Sequence, residues 1–212
     1  MPEDGAFYNQ DRARDGIRSV LDGLGIAKAH IVGLSMGGFA ALHFGFTYAD
    51  RALSLTIGGC GYGAAAKERT KFAAETEAKG QRFDDLGMEE AAPGYALGPT
   101  RVQFQNRDPR GWQEFADHLV EQSARGAPLT IRGVQAKRPS LFDLTDRMQT
   151  ISVPTLIMTR TRRARAALER IALLSCRYVE AETDRAYDFQ AKAGWHLSAA
   201  GDLCDIKLCA WR

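Results

Sequence analysis

The residues His30-Ile31-Val32-Gly33-Leu34-Ser35-Met36-Gly37-Gly38-Phe39 run from an apolar, β-type segment into a glycine-rich turn, and the rest of the chain takes its place from them. Gly33 and Gly37 stand two residues either side of Ser35, giving G-x-S-x-G, the pattern of a nucleophile elbow. In such a bend the serine takes a positive φ, and its glycine neighbours sit where a Cβ would collide. The strain lifts the hydroxyl above the carboxyl ends of the strands and turns the N–H of Met36 toward a developing oxyanion. A chain with 21 glycines can also hold these five residues by chance, in an ordinary strand-to-helix turn. The context favours the elbow. Ile31 and Val32 precede the turn, and Phe39, Ala40, Ala41, Leu42 and Phe44 after it suit a helix packed on a sheet.

With 212 residues and 45% hydrophobic content, the chain can bury the core of one globular domain. A net charge of +2 gives no argument for a nucleic-acid partner. No stretch approaches the roughly 18 continuous apolar residues of a membrane span. Met1-Pro2-Glu3-Asp4 is too acidic to begin a secretory signal, so the expected compartment is the cytoplasm. Cys60, Cys176, Cys204 and Cys209 show no C-x-x-C spacing and no partnered histidines, which points to reduced thiols and to neither a metal nor a disulfide framework.

Outward from the turn, Ile17, Val20, Leu21 and Leu24 recur at helical spacing, and Gly25 is placed to end that helix. A strand over 29–34, the helix to about Tyr48 and a second strand over 52–57 form a βαβ unit, so these strands should be parallel. The run Gly58-Gly59-Cys60-Gly61-Tyr62-Gly63 lets the chain turn near the same sheet edge as Ser35; without a following G-K-[ST] it is weak as a phosphate loop. Residues 64–150 read as helices separated by the breakers Pro93-Gly94, Gly98-Pro99, Pro109 and Pro128, with His118 and Trp112 as packing residues. A last short helix over 141–148 precedes a third strand, Val153 to Met158.

In combination these features resemble the α/β-hydrolase fold family, in its serine-nucleophile esterase, lactonase and carbon-carbon hydrolase branch. The match runs over about residues 5–159: the helix ending in L-D-G-L-G-I, then A-H-I-V-G-L-S-M-G-G, then R-A-L-S-L-T-I, and finally L-T-D-R-M-Q-T-I-S-V-P-T-L-I-M. The resemblance implies a partial α/β-hydrolase fold, with parallel strands, flanking helices and a helical cap insertion. Core would comprise 1–63 and 141–159, cap 64–140, and an atypical tail 160–212. It makes Ser35 the nucleophile, Met36 N–H an oxyanion donor, and Gly33, Gly37 and Gly38 the glycines of the elbow, with no metal and no cofactor.

The family pattern also calls for earlier strands, for an acid in a G-x-x-D turn after the seventh strand, and for a histidine in a G-H motif. The earlier strands would have to lie before residue 1 and are expected to be absent, and Met158 is followed by Thr159-Arg160-Thr161-Arg162-Arg163-Ala164-Arg165, with no acid until Glu169. From residue 160 the chain turns arginine-rich and loses regular patterning, which suggests an out-of-frame continuation of the gene; sequencing the locus tests this, since another frame should hold both motifs. The competing reading of the arginines as a basic patch lacks interleaved aromatics. Gly194-Trp195-His196 loosely imitates the histidine loop, with Asp184 or Asp188 as an acid, but an incidental histidine is the simpler reading.

The expected protein is therefore a hydrolase of an ester, lactone or related acyl bond, impaired or inactive because its base and acid are not identifiable. The alternative is a non-catalytic binding or scaffold protein on the same fold. The expected partner is a small acyl substrate, with no nucleic acid and no membrane, and the elbow strand should form an apolar sheet edge prone to self-association.

Overall fold

The computed structural model describes residue 2, residues 4–159, and the backbones of two further strands, 178–182 and 206–208. The chain divides into two units. One comprises Arg14–Ala65 and Ser140–Arg212; the other comprises Met1–Ala13 and Ala66–Pro139.

The first unit is built on a sheet. Strands β1 (Ala29–Leu34), β2 (Ala52–Gly58), β3 (Thr155–Thr159) and β4 (Tyr178–Glu182) lie side by side in that order, all parallel. β5 (Ile206–Leu208) closes the order antiparallel to β4. The sequence leads to three strands; the structure has five, two of them within the segment read as an irregular tail. β4 carries Glu180 and Glu182 where β3 has a continuous apolar run, and β5 has only three residues, so neither stands out from its surroundings. The arginine run 160–165, His196, Asp184, Asp188 and the three later cysteines lie outside the described residues.

Helix α1 (Gln10–Gly23) ends where expected, with Gly25 at φ +65°. Its Leu21 joins Ile31, Phe39, Leu42, Phe44, Leu55 and Ile57 in the core of this unit. Helix α2 (Met36–Thr47) is apolar all round, and Gly38 through Gly45 are buried, as befits a helix enclosed by packing. His43 lies in that buried stretch, its ring edge-on to Phe46. β1 alternates: Ile31 faces the core, while His30, Val32 and Leu34 are exposed. At the far end of α2, Tyr48 Oη donates to Asp15 Oδ1 at 2.7 Å and Arg14 Nε donates to the same oxygen at 2.8 Å, tying α1 to α2. The ends of the tract between β2 and β3 also meet: Ser140 Oγ donates to the carbonyl of Ala64 at 2.7 Å in a buried contact.

The second unit is helical. Helix α3 (Ala66–Ala96) is a merged pair broken at Gly87, whose backbone (φ 71°, ψ 179°) is not helical. Pro93, expected to break the chain, lies inside the helical run. The alanine face around it is fully buried, with Ala91, Ala92 and Ala96 at 0% exposure against Phe83, Met88, Leu119 and Ile131, and that packing offsets the one lost backbone bond. α4 (Val102–Arg107) and α5 (Pro109–Val120) follow, and Pro109 begins a helix as much as it ends one: Asp108 accepts from Gly111 N at 2.8 Å as the N-cap, with proline in the first turn. α6 (Gly126–Thr130) runs into a π-helical turn at 131–136. There Arg132 Nε donates to Glu77 at 2.7 Å, and its guanidinium also pairs with Asp84. Gly133 sits where a Cβ would overlap the carbonyl of Tyr8, so the first residues pack with the helices rather than with the sheet unit assigned to them from sequence. In the sheet unit, a short 3₁₀ turn (142–144) leads into α7 (Thr145–Gln149) before β3.

Candidate active site

Ser35 occupies the single residue between β1 and α2, with φ 55° and ψ −113°. Among the described residues it is the one non-glycine position with positive φ. An L-residue held there is strained by roughly 1–3 kcal/mol and needs surrounding contacts to keep it. The contacts are visible. Ser35 N donates to Gly58 O at the end of β2 at 2.8 Å, Phe39 N donates to Ser35 O at 3.2 Å, and Gly59 N donates to Met158 O at 2.9 Å, linking the same segment to β3. The serine side chain is exposed and does not cap the helix it begins. Met36 is the first residue of α2, so its N–H has no carbonyl partner within the helix and lies at the positive end of the helix dipole.

The glycines around Ser35 are not equivalent. A Cβ on Gly33 would overlap the carbonyl of Gly37 and come within 2.7 Å of Gly38 N. One on Gly38 would lie 2.6 Å from Cys60 Sγ and 3.0 Å from Gly58 O. Gly37, by contrast, has open space around its would-be Cβ. The expectation that both Gly33 and Gly37 are crowded is therefore corrected: the tight pair is Gly33 and Gly38. The reason is that the helix turns its first residues so that position 37 faces outward while 38 faces the end of β2.

Of the other residues singled out, His30 Nδ1 is 2.8 Å from Ser54 Oγ on the exposed face of β1 and β2. His118 is not a packing residue; it is exposed and pairs with Glu121 at 3.1 Å, whose carboxylate pushes the imidazole pKa above its usual value. Trp112 does pack in the helical core, donating Nε1 to Ala96 O at 3.1 Å. Sequence reasoning missed Cys60: its buried thiol lies 3.3 Å from Ser35 O. Only a contact between residues 25 apart reveals this, and no local pattern signals it. Among the described residues no group of three or more histidine, cysteine or acidic side chains is arranged to hold a metal, and no helix is long and apolar enough to cross a membrane.

The model of the alpha/beta hydrolase family matches residues 2–201. The chain belongs to the alpha/beta hydrolase family. This member is 28% identical over 144 residues to 3-oxoadipate enol-lactonase 1 of Acinetobacter baylyi, an alignment covering 68% of this chain and 50% of that protein. Over 47 residues it is 47% identical to a 2-hydroxy-6-oxononadienedioate/2-hydroxy-6-oxononatrienedioate hydrolase of Paraburkholderia phymatum, covering 22% of this chain and 16% of that protein. Among solved structures, MenH from S. aureus superposes with a TM-score of 0.67 at 18% identity, covering 80% of this chain and 64% of that one. The enol-lactonase of Burkholderia xenovorans gives 0.63 at 19% identity, covering 84% and 65%. The chain thus spans half the length of the lactonase it matches. The family match reaches past Thr159, where the sequence motifs end.

Proposed function

We propose that this alpha/beta hydrolase acts on an ester, lactone or related acyl bond through Ser35, and that the chain as it stands is impaired or inactive. The observation that carries the reading is the conformation of Ser35: strained, exposed, and held on a one-residue bend between strand and helix. A lactonase and a dienedioate hydrolase among the relatives support an acyl or related carbon-carbon substrate. In the reaction, Ser35 Oγ bonds to the substrate carbonyl carbon, its proton passes to a base, and the Met36 N–H stabilises the resulting oxyanion before the leaving group departs. Among the described residues no histidine is placed as the base. His30 is engaged with Ser54, His43 is buried within α2, and His118 pairs with Glu121 in the helical unit. A serine without a base loses several orders of magnitude in rate. We read the helices of residues 64–140 as the cap insertion of the family.

The test is covalent. A fluorophosphonate should label Ser35 slowly and Ser35→Ala not at all, as read by peptide mass spectrometry. Turnover of a p-nitrophenyl ester should remain far below ordinary enzymatic rates. Turnover at ordinary rates that disappears in Ser35→Ala would overturn the claim of impairment, and labelling at another residue would overturn the nucleophile.

A further inference from the structure

Cys60 lies beneath the bend, and its position bears on the oxyanion donor. Its thiol donates to Ser35 O at 3.3 Å and more weakly to Gly58 O at 3.7 Å. The side chain is 4% exposed, and a Cβ at position 38 at the start of α2 would lie 2.6 Å from its sulfur. The Ser35 carbonyl and the Met36 N–H are two ends of one peptide unit. That unit is planar and trans, so the N–H points opposite to the C=O. Whatever fixes the direction of the carbonyl fixes the direction of the donor.

We propose that Cys60 is a positioning residue for the Met36 N–H, its thiol holding the Ser35–Met36 peptide plane in the orientation that aims the donor at the reacting carbonyl. The Phe39 N–H at 3.2 Å shares the same carbonyl, as the first turn of a helix requires, but it belongs to α2 and moves with it. The Cys60 thiol belongs instead to the segment that also ties Gly58 O to Ser35 N and Gly59 N to Met158 O. It therefore references the donor to the sheet rather than to the helix. Both ends of the Ser35 residue are thus anchored by residues 58–60: its N–H through Gly58 and its carbonyl through Cys60.

The inference rests on the reading of Ser35 as nucleophile and Met36 N–H as oxyanion donor, and the test separates the two. Two substitutions distinguish aiming from filling space. Cys60→Ser keeps a donor and loses some volume; Cys60→Val keeps the volume and loses the donor. The readouts are the Ser35 carbonyl ¹³C and Met36 amide resonances of the isotope-labelled full chain, and the rate of fluorophosphonate labelling at Ser35. Positioning predicts that Cys60→Val shifts both resonances and slows labelling about tenfold, the scale of a small misplacement of a catalytic group, while Cys60→Ser restores both toward wild type. The opposite order, with Cys60→Val like wild type and Cys60→Ser perturbed, overturns the proposal and makes Cys60 a packing residue. Unmoved resonances in both variants overturn it as well. If wild type itself is not labelled, the nucleophile reading fails, and the resonances alone decide the role of Cys60.

Discussion

Replacing Gly33 and Gly37 by alanine, one at a time, separates two glycines that the motif treats alike. At position 33 the new methyl would overlap the Gly37 carbonyl and sit 2.7 Å from Gly38 N, both of them backbone atoms that cannot swing away. Relief requires the start of α2 to move off β1 by about 1 Å, and overpacking of this kind costs about 3 kcal/mol. At position 37 the methyl enters open space at the second residue of a helix, where alanine is the better helix former by roughly 0.5 kcal/mol. The two variants should therefore differ by about 3–4 kcal/mol, in favour of Gly37→Ala. With a urea m-value near 2 kcal/mol/M, that is a separation of about 1.5–2 M between unfolding midpoints followed by circular dichroism. Equal destabilisation by the two substitutions, or a Gly33→Ala variant as stable as wild type, would refute the geometry of the bend described above.

Two further outcomes follow from other parts of the sheet unit. Hydrogen bonds from Arg14 and then Tyr48 lower the pKa of Asp15 to about 2, so the stability it contributes is full above the ordinary carboxylate pKa near 3.8 and is lost as pH falls through about 2. Tyr48→Phe removes one of those bonds and should move the acid transition to higher pH in a circular-dichroism titration; an unchanged transition would show that the tyrosine contributes nothing to the shift. On the exposed face of β1, Val32 is 66% exposed on the outermost described strand. We expect the protein to self-associate through this region and Val32→Lys to shift it toward the monomer in light-scattering chromatography, because a charge on an edge strand opposes pairing. Identical molar masses for the two proteins would argue against that edge as the contact.

The parts of this protein that were legible in the sequence are those written in adjacent residues. β1, the bend, α2 and β2 follow from an apolar run, a glycine-serine-glycine turn and a second apolar run, and the structure places them within a residue of the expected ends. The helix break was misplaced because Pro93 carries a strong local signal, whereas burial of Ala91, Ala92 and Ala96 depends on residues from α5 and the π-helical turn. The fourth strand was missed because Glu180 and Glu182 break the apolar run that marks β3, and the fifth because three residues cannot establish an alternation. At the site itself, Ser35 was marked by its neighbours. The outward orientation of Gly37 and the placement of Cys60 were not, since both are settled by how the end of β2 meets the start of α2. The same holds for Asp15 and Tyr48, which are 33 residues apart and joined by one hydrogen bond.

The buried bond between Ser140 Oγ and the Ala64 carbonyl pins together the two points where the chain leaves and re-enters the sheet unit around residues 66–139. A stretch that leaves and returns at one point can be lengthened, shortened or exchanged wholesale without pulling on the strands. The contacts described above that fix Ser35 come from Gly33, Gly37, Gly38, Phe39, Gly58 and Cys60, outside residues 66–139. Natural drift or a laboratory library confined to that tract can therefore vary the helices while the residues that hold the bend stay unaltered.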